Sequence, residues 1–191
     1  MSLISELIDV GDFVAVDSST TSIAFAYVHD SKITKYGKME FKGNGIYKRI
    51  GDISRKTEAL FRMLPVDTLV IESSFYSNNP KTATNLALAQ GAILGAASLS
   101  GVTKIGSCVP IQWQNGIGNK AFTKEQKLQL TVDYPGKSKG WYQNKMRQLR
   151  KDITIQYVNE KYGLNVSDND IADALGIAAF VASNKTKVTW E

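Results

Sequence analysis

Apolar residues in the first third of the chain fall in short runs broken by polar ones. Phe13-Val14-Ala15-Val16 predicts a buried strand over Asp12 to Val16, and Ser22 to Val28 and Ile33 to Phe41 follow as β-prone segments around the polar turn His29-Asp30-Ser31. An antiparallel meander is expected. From Ile46 the apolar positions Ile46, Ile50, Ile53, Leu60, Phe61 and Leu64 return at near-helical spacing until Pro65 stops the pattern. Thr68 to Glu72 then reads as a short strand. Pro80 opens a helix that runs to Gly101, through Leu86, Leu88, Ile93, Leu94 and Leu99 interleaved with alanines and glycines. Its small residues allow another backbone to approach, to seat the helix on the sheet, to meet a second subunit, or to do both on different faces.

Lys104 to Val109 predicts another strand, and Thr123 with Gln126 is a capping-box start for a helix carrying Lys124 and Lys127. Tyr134 to Gly140 contains Pro135, Gly136 and Gly140 and predicts a loop before a basic helix that begins near Trp141. Ser167 with Asp170 predicts a second capping box, opening a last helix through Ile171, Leu175, Ile177 and Phe180. No internal repeat or low-complexity tract interrupts this order. Five strands mixed with helices predict an α/β fold with a mixed sheet flanked by helices.

Length narrows the picture to one domain over residues 1–191, and no apolar run is long enough to cross a bilayer, so no membrane association is expected. The first ten residues carry Glu6 and Asp9 and lack the basic start of a secretory signal, which predicts a cytoplasmic location. Lone Cys108 and lone His29 leave no nitrogen and sulfur set for a structural zinc, so any metal must be held by oxygen. The net charge of +5 is modest, but Lys137, Lys139, Lys145, Arg147, Arg150 and Lys151 follow one another with no acid between them. That stretch is either a polyanion contact or a solvated helix face.

Four acids stand where acids are costly. Asp17 ends the apolar run Phe13 to Val16, and Glu72 ends Leu69-Val70-Ile71 in the same manner. Asp170 and Asp173 lie at i and i+3 in the first turn of an otherwise apolar helix, so both carboxylates share a face. Singly, such acids close turns or complement a helix dipole. Together they form the oxygen-lined set that two Mg²⁺ ions, about 3.5–4 Å apart in phosphodiester hydrolysis, require.

Val16-Asp17-Ser18-Ser19, Ile71-Glu72-Ser73-Ser74-Phe75 with Asn78-Asn79 and Leu88-Ala89-Gln90-Gly91, and Asp170-Ile171-Ala172-Asp173-Ala174-Leu175-Gly176-Ile177-Ala178 resemble RuvC-type Holliday junction resolvases. The resemblance runs in order from Phe13 to Ala182. It implies a ribonuclease-H-like fold and a homodimer making paired cuts in four-way DNA with two Mg²⁺ or Mn²⁺ ions held by Asp17, Glu72, Asp170 and Asp173. It also implies that Phe75, with Tyr76 beside it, stacks on a junction base, and that Lys124 acts at the catalytic site. A second family lysine falls on Gln114, with Lys120 as a candidate substitute. Lys120, Lys124, Lys127, Lys145, Arg147 and Arg150 are the expected DNA contacts. The basic insertion around 134–151 is longer than in bacterial members and resembles bacteriophage or poxvirus relatives, some of which accept forks and flaps.

Two other classes stay open. Asp17-Ser18-Ser19-Thr20-Thr21 resembles the first phosphate loop of the actin and sugar-kinase group, although that group needs two such domains. A ribonuclease-H-like nuclease acting on an RNA–DNA hybrid, or a silent DNA-binding module, would share the same strands.

Overall fold

Side chains alternate across a strand, so β1 (Phe13–Ser18) sends Phe13 and Ala15 into one core and Val14 and Val16 into another. In this computed structural model the described residues are 11–73, 79–183 and 187–191. β1 pairs antiparallel with β2 (Ser22–His29), and β2 with β3 (Lys32–Glu40). Asp30 and Ser31 join β2 to β3 with φ of 48° and 62°, the left-handed pair that a two-residue hairpin turn requires. The meander expected from the polar turn is therefore present.

After α1 (Ile46–Arg62), β4 (Thr68–Glu72) lies parallel to β1 on its other side. α2 (Pro80–Leu99) begins as expected, with Pro80 in its first turn and the Asn79 side chain accepting from the backbone N–H groups of Lys81 and Thr82. It leads to β5 (Lys104–Cys108), parallel to β4. The sheet order among the described residues is β3-β2-β1-β4-β5-β6, one strand more than the five expected. The extra strand, β6 (Thr189–Trp190), is two residues long and pairs antiparallel with β5. So short a strand carries no periodic signal, and its place is marked instead by Gly106, where a Cβ would lie 2.7 Å from Val188 Cγ1.

α1 and α2 cover the face that holds Val14, Val16, Leu69 and Ile71; Ala89, Ile93 and Ala97 of α2 are buried there. The small residues of α2 thus seat it on the sheet, as one of the two expectations had it. The opposite face packs against α6 (Asn169–Ser183), whose residues from Ala174 to Val181 are all buried. α3 (Pro110–Gly116), not expected from the sequence, inserts the fully buried Trp113 beside α6. Gly176 of α6 allows that insertion, since a Cβ there would lie 2.8 Å from the Trp113 ring.

α4 (Lys124–Asp133) has the expected capping box: Gln126 N–H donates to Thr123 Oγ1, and Thr123 N–H to Gln126 Oε1. α5 (Lys139–Tyr162) starts two residues before the expected Trp141, because Ser138 Oγ caps it by accepting from Trp141 N–H. At α6 the expectation of Ser167 as cap is corrected. Asp168 fills that role, its Oδ1 accepting from the N–H groups of Asp170 and Ile171 at 2.9 and 3.1 Å. An aspartate one residue nearer the helix reaches the free N–H groups directly.

Candidate active site

Strand register builds the site. Asp17 pairs with Ala24 of β2, and Ala24 with Lys38 of β3, while the β1–β4 pairing ends at Val16↔Ile71, so Glu72 is the next residue alongside Asp17. Glu72 in turn pairs with Cys108 of β5. Lys38, Ala24, Asp17, Glu72 and Cys108 therefore form one transverse row. Alternation aims Asp17 and Glu72 at the face of Ala15 and Val70, which is the face that α6 covers. The first turn of α6 supplies Asp170 and Asp173 there.

All four acids are half-buried by surface exposure, yet the Asp17, Glu72 and Asp173 carboxyls are enclosed by protein on most sides. Burial, reinforced by Glu72, Asp173 and Asp170, holds the Asp17 carboxyl well above the usual carboxylate range. Burial also raises Glu72, against a 2.6 Å hydrogen bond donated by Trp113 Nε1 to Glu72 Oε2. Asp173 is pushed up to about 7 by burial, Glu72 and Asp170, with Lys151 and Arg150 acting in opposition. The charges that act on Asp17 and Asp173 come from the other acids of the set, which share this side of the sheet.

Asp170 is turned toward β3. Lys38 Nζ lies 2.7 Å from Asp170 Oδ2 and 3.0 Å from Asp168 Oδ2, bridging the site to the cap of α6. Because Asp170 turns to Lys38 and Glu72 to Trp113, the acids are spread. The group of three metal-ligating side chains found within 4.8 Å of one another among the described residues is Asp12, His29 and Asp30, at the opposite end of β1.

The donor set fits a hard divalent cation. Every candidate ligand is oxygen, three of the acids hold protons more tightly than free carboxyls, and a cation can replace those protons. One buried oxygen at the start of α6, Asn169 Oδ1, has no hydrogen-bond partner among the described residues. An uncommitted buried oxygen next in sequence to Asp170 suits an ion and its bound water better than a sealed core.

The expected basic contacts separate into two groups. Arg150, half-buried on α5, stands near the acids, as does exposed Lys151. Lys120, Lys124, Lys127 and Arg147 are exposed, Lys124 opening α4. Lys145 lies over the Tyr134 ring, 5.7 Å from its centroid. Phe75 and Tyr76 lie outside the described residues. Gln114, half-buried on α3, accepts a 2.6 Å hydrogen bond from Arg150 Nη2.

Sequence reasoning missed Lys38, Trp113 and Asn119. Lys38 was findable by carrying the hairpin register across two strands from Asp17, with Ala24 too small to block it. Trp113 gave a weaker signal, a buried indole whose N–H needs an acceptor.

No protein-family model matches the chain. Crossover junction endodeoxyribonuclease RuvC of Aliarcobacter butzleri is 30% identical over 121 residues, which cover 59% of this chain and 76% of that protein. The enzyme of the same name from Brachyspira hyodysenteriae is 26% identical over 175 residues, covering 89% of this chain and 92% of that protein. Among solved structures, Thermus thermophilus RuvC in complex with Holliday junction substrate superposes with a TM-score of 0.67 at 16% identity, over 95% of this chain and 99% of that one. No helix among the described residues is long and apolar enough to cross a membrane.

Proposed function

The chain belongs to the RuvC family of crossover junction endodeoxyribonucleases, and from that premise we propose that it resolves four-way DNA junctions by metal-dependent hydrolysis of one phosphodiester in each of two strands. Its fold is the ribonuclease-H-like α/β arrangement. The observation that carries the reading is the transverse row, which sets Asp17 beside Glu72 under the first turn of α6 with Asp170 and Asp173.

Asp17, Glu72, Asp170 and Asp173 would hold two Mg²⁺ or Mn²⁺ ions. When bound, such a pair supplies an activated water and stabilises the leaving oxygen. Asp17, central in the row and flanked by the other three, would be the residue around which that set of ligands centres. Trp113 fixes the orientation of Glu72, and Lys38 that of Asp170. Lys124, which opens α4, would act at the catalytic site, and the other exposed lysines would contact backbone phosphates.

Paired cuts require two sites related by a two-fold axis. An apolar groove of about 750 Å³ between α1 and α2, lined by Leu88, Gly91, Ala92, Gly95 and Leu99, with Leu99 87% exposed, supports a homodimer built on this face. A phosphate loop of the kinase type is disfavoured at Ser18–Thr21. The Thr21 and Ser22 N–H groups donate to Ser19 Oγ and are not turned outward to cradle an anion.

The test is cleavage of a labelled synthetic four-way junction beside a linear duplex and an RNA–DNA hybrid, with Mg²⁺ or with chelator. Symmetric, Mg²⁺-dependent nicks in the junction are expected from the wild type. Asp17→Asn is expected to abolish cutting and keep junction binding, since it removes a metal ligand and leaves the basic surface in place. A cut hybrid with an inert junction would transfer the acidic site to another substrate.

A further inference from the structure

Beside Asp173 lies a narrow cleft of about 180 Å³ whose other walls are Gln114, Asn119, Arg147, Arg150 and Lys151. Arg147, Arg150 and Lys151 are spaced i, i+3 and i+4, so they share one face of α5. None of the three makes an ion pair with a carboxylate among the described residues.

Arg150 is held unusually well for a cation with no acid partner. Its Nε donates to Asn119 Oδ1 at 3.2 Å, and its Nη2 to the Asn119 carbonyl at 3.0 Å and Gln114 Oε1 at 2.6 Å. Asn119 is itself only 1% exposed. Its side-chain amide donates to the Arg150 carbonyl at 2.8 Å and to Thr154 Oγ1 at 2.9 Å, which ties the α3–α4 connection to α5. Three neutral oxygens therefore fix the guanidinium without cancelling its charge. Its second terminal nitrogen, Nη1, carries no hydrogen bond to another described residue.

A rigid guanidinium with a free edge, near Asp173 but in direct ion pair with no carboxylate among the described residues, is a preorganised anion site. The neighbouring acids make one necessary, because four carboxylates repel a phosphodiester. We propose that Arg150, with Arg147 and Lys151 at the rim, receives a phosphate of the strand being cut, at or next to the bond that faces Asp173. Gln114 and Asn119 act as positioning residues that aim the guanidinium. This assignment rests on the nuclease reading above and adds to it the group that seats the substrate strand.

The test is a cycle between protein charge and phosphate charge. Junctions carrying one neutral methylphosphonate at each linkage around the cut site are bound, in Ca²⁺ to prevent turnover, by wild type and by Arg150→Gln, with thermal melting run in parallel. At one linkage the neutral group is expected to weaken wild-type binding about tenfold, and Arg150→Gln to be indifferent to it. In Mg²⁺ the same variant is expected to cut the unmodified junction about a hundredfold more slowly with a melting temperature near that of wild type. Gln114→Lys in that background, which returns a cation from the residue that the guanidinium had touched, is expected to recover part of the rate. Equal weakening of both proteins at every linkage would overturn the proposal, as would a rate loss that follows lost melting temperature. If Arg150→Gln does not fold, the exposed pair Arg147→Gln and Lys151→Gln carries the same cycle, and absence of coupling there overturns it too. A wild type that binds with this coupling but cuts no junction would overturn the nuclease reading and keep the phosphate contact.

Discussion

Asp173 gives the site a pH signature in the neutral range. Its carboxyl sits at about 7 in the folded protein against an ordinary 3.8. Between those values the folded state keeps a proton that the unfolded chain has released, so this group's contribution to stability declines as pH rises through the window and is level above it. In chelator, the melting temperature is expected to fall over that range, and Asp173→Asn to remove much of the slope; an unchanged slope would place the titration elsewhere. Trp113 works on Glu72 in the opposite sense, since its N–H stabilises the ionised form. Trp113→Phe is expected to move the acidic limb of the cleavage profile to higher pH, as an unbonded Glu72 holds its proton longer. An acidic limb that stays in place would show that Glu72 does not govern it.

At the scale of elements, α3 and α6 meet through a glycine. Replacing a helical glycine by alanine in open surroundings stabilises a helix by about 0.8–1 kcal/mol. At Gly176 the new methyl would lie 2.8 Å from Trp113 Cζ3, and overpacking of this kind destabilises by about 1–3 kcal/mol. Gly176→Ala is therefore expected to lower stability in a denaturant titration despite the better helix former. Because Trp113 must shift to admit the methyl, cutting should fall further than stability does. A neutral or stabilising result would mean that α3 slides freely along α6, and the orientation of Glu72 would then need another explanation.

For the whole molecule the governing fact is polarity of charge. The chain carries a net charge of +5 and concentrates six cations without an acid between Lys137 and Lys151, while its site gathers four acids. A polyanion is drawn to the first and held off by the second until divalent cations bind. Junction affinity is expected to fall linearly with the logarithm of salt concentration, with a slope of about −0.9 for each phosphate neutralised. Arg147→Gln with Lys151→Gln should make that slope shallower by about two such contacts. A slope unaffected by the pair would put the DNA on another surface.

Much of this is legible in the sequence alone. The strand ends that place Asp17 and Glu72, the helix start that places Asp170 and Asp173, and the capping box at Thr123 are local patterns; alternation and helical periodicity are properties of short stretches of backbone. Even the facing of the two strand acids follows from counting by twos. What only the tertiary structure decided is which distant residues answer them. Lys38 reaches Asp170 through register across two strands, Trp113 reaches Glu72 through a helix that the sequence pattern did not announce, and Gln114 on that helix and Asn119 just after it hold Arg150 from 36 and 31 residues away. β6 closes the sheet edge with two residues that have no period to read. The acids are specified by their own neighbours in sequence. Their partners are specified by packing between segments, which no local repeat encodes.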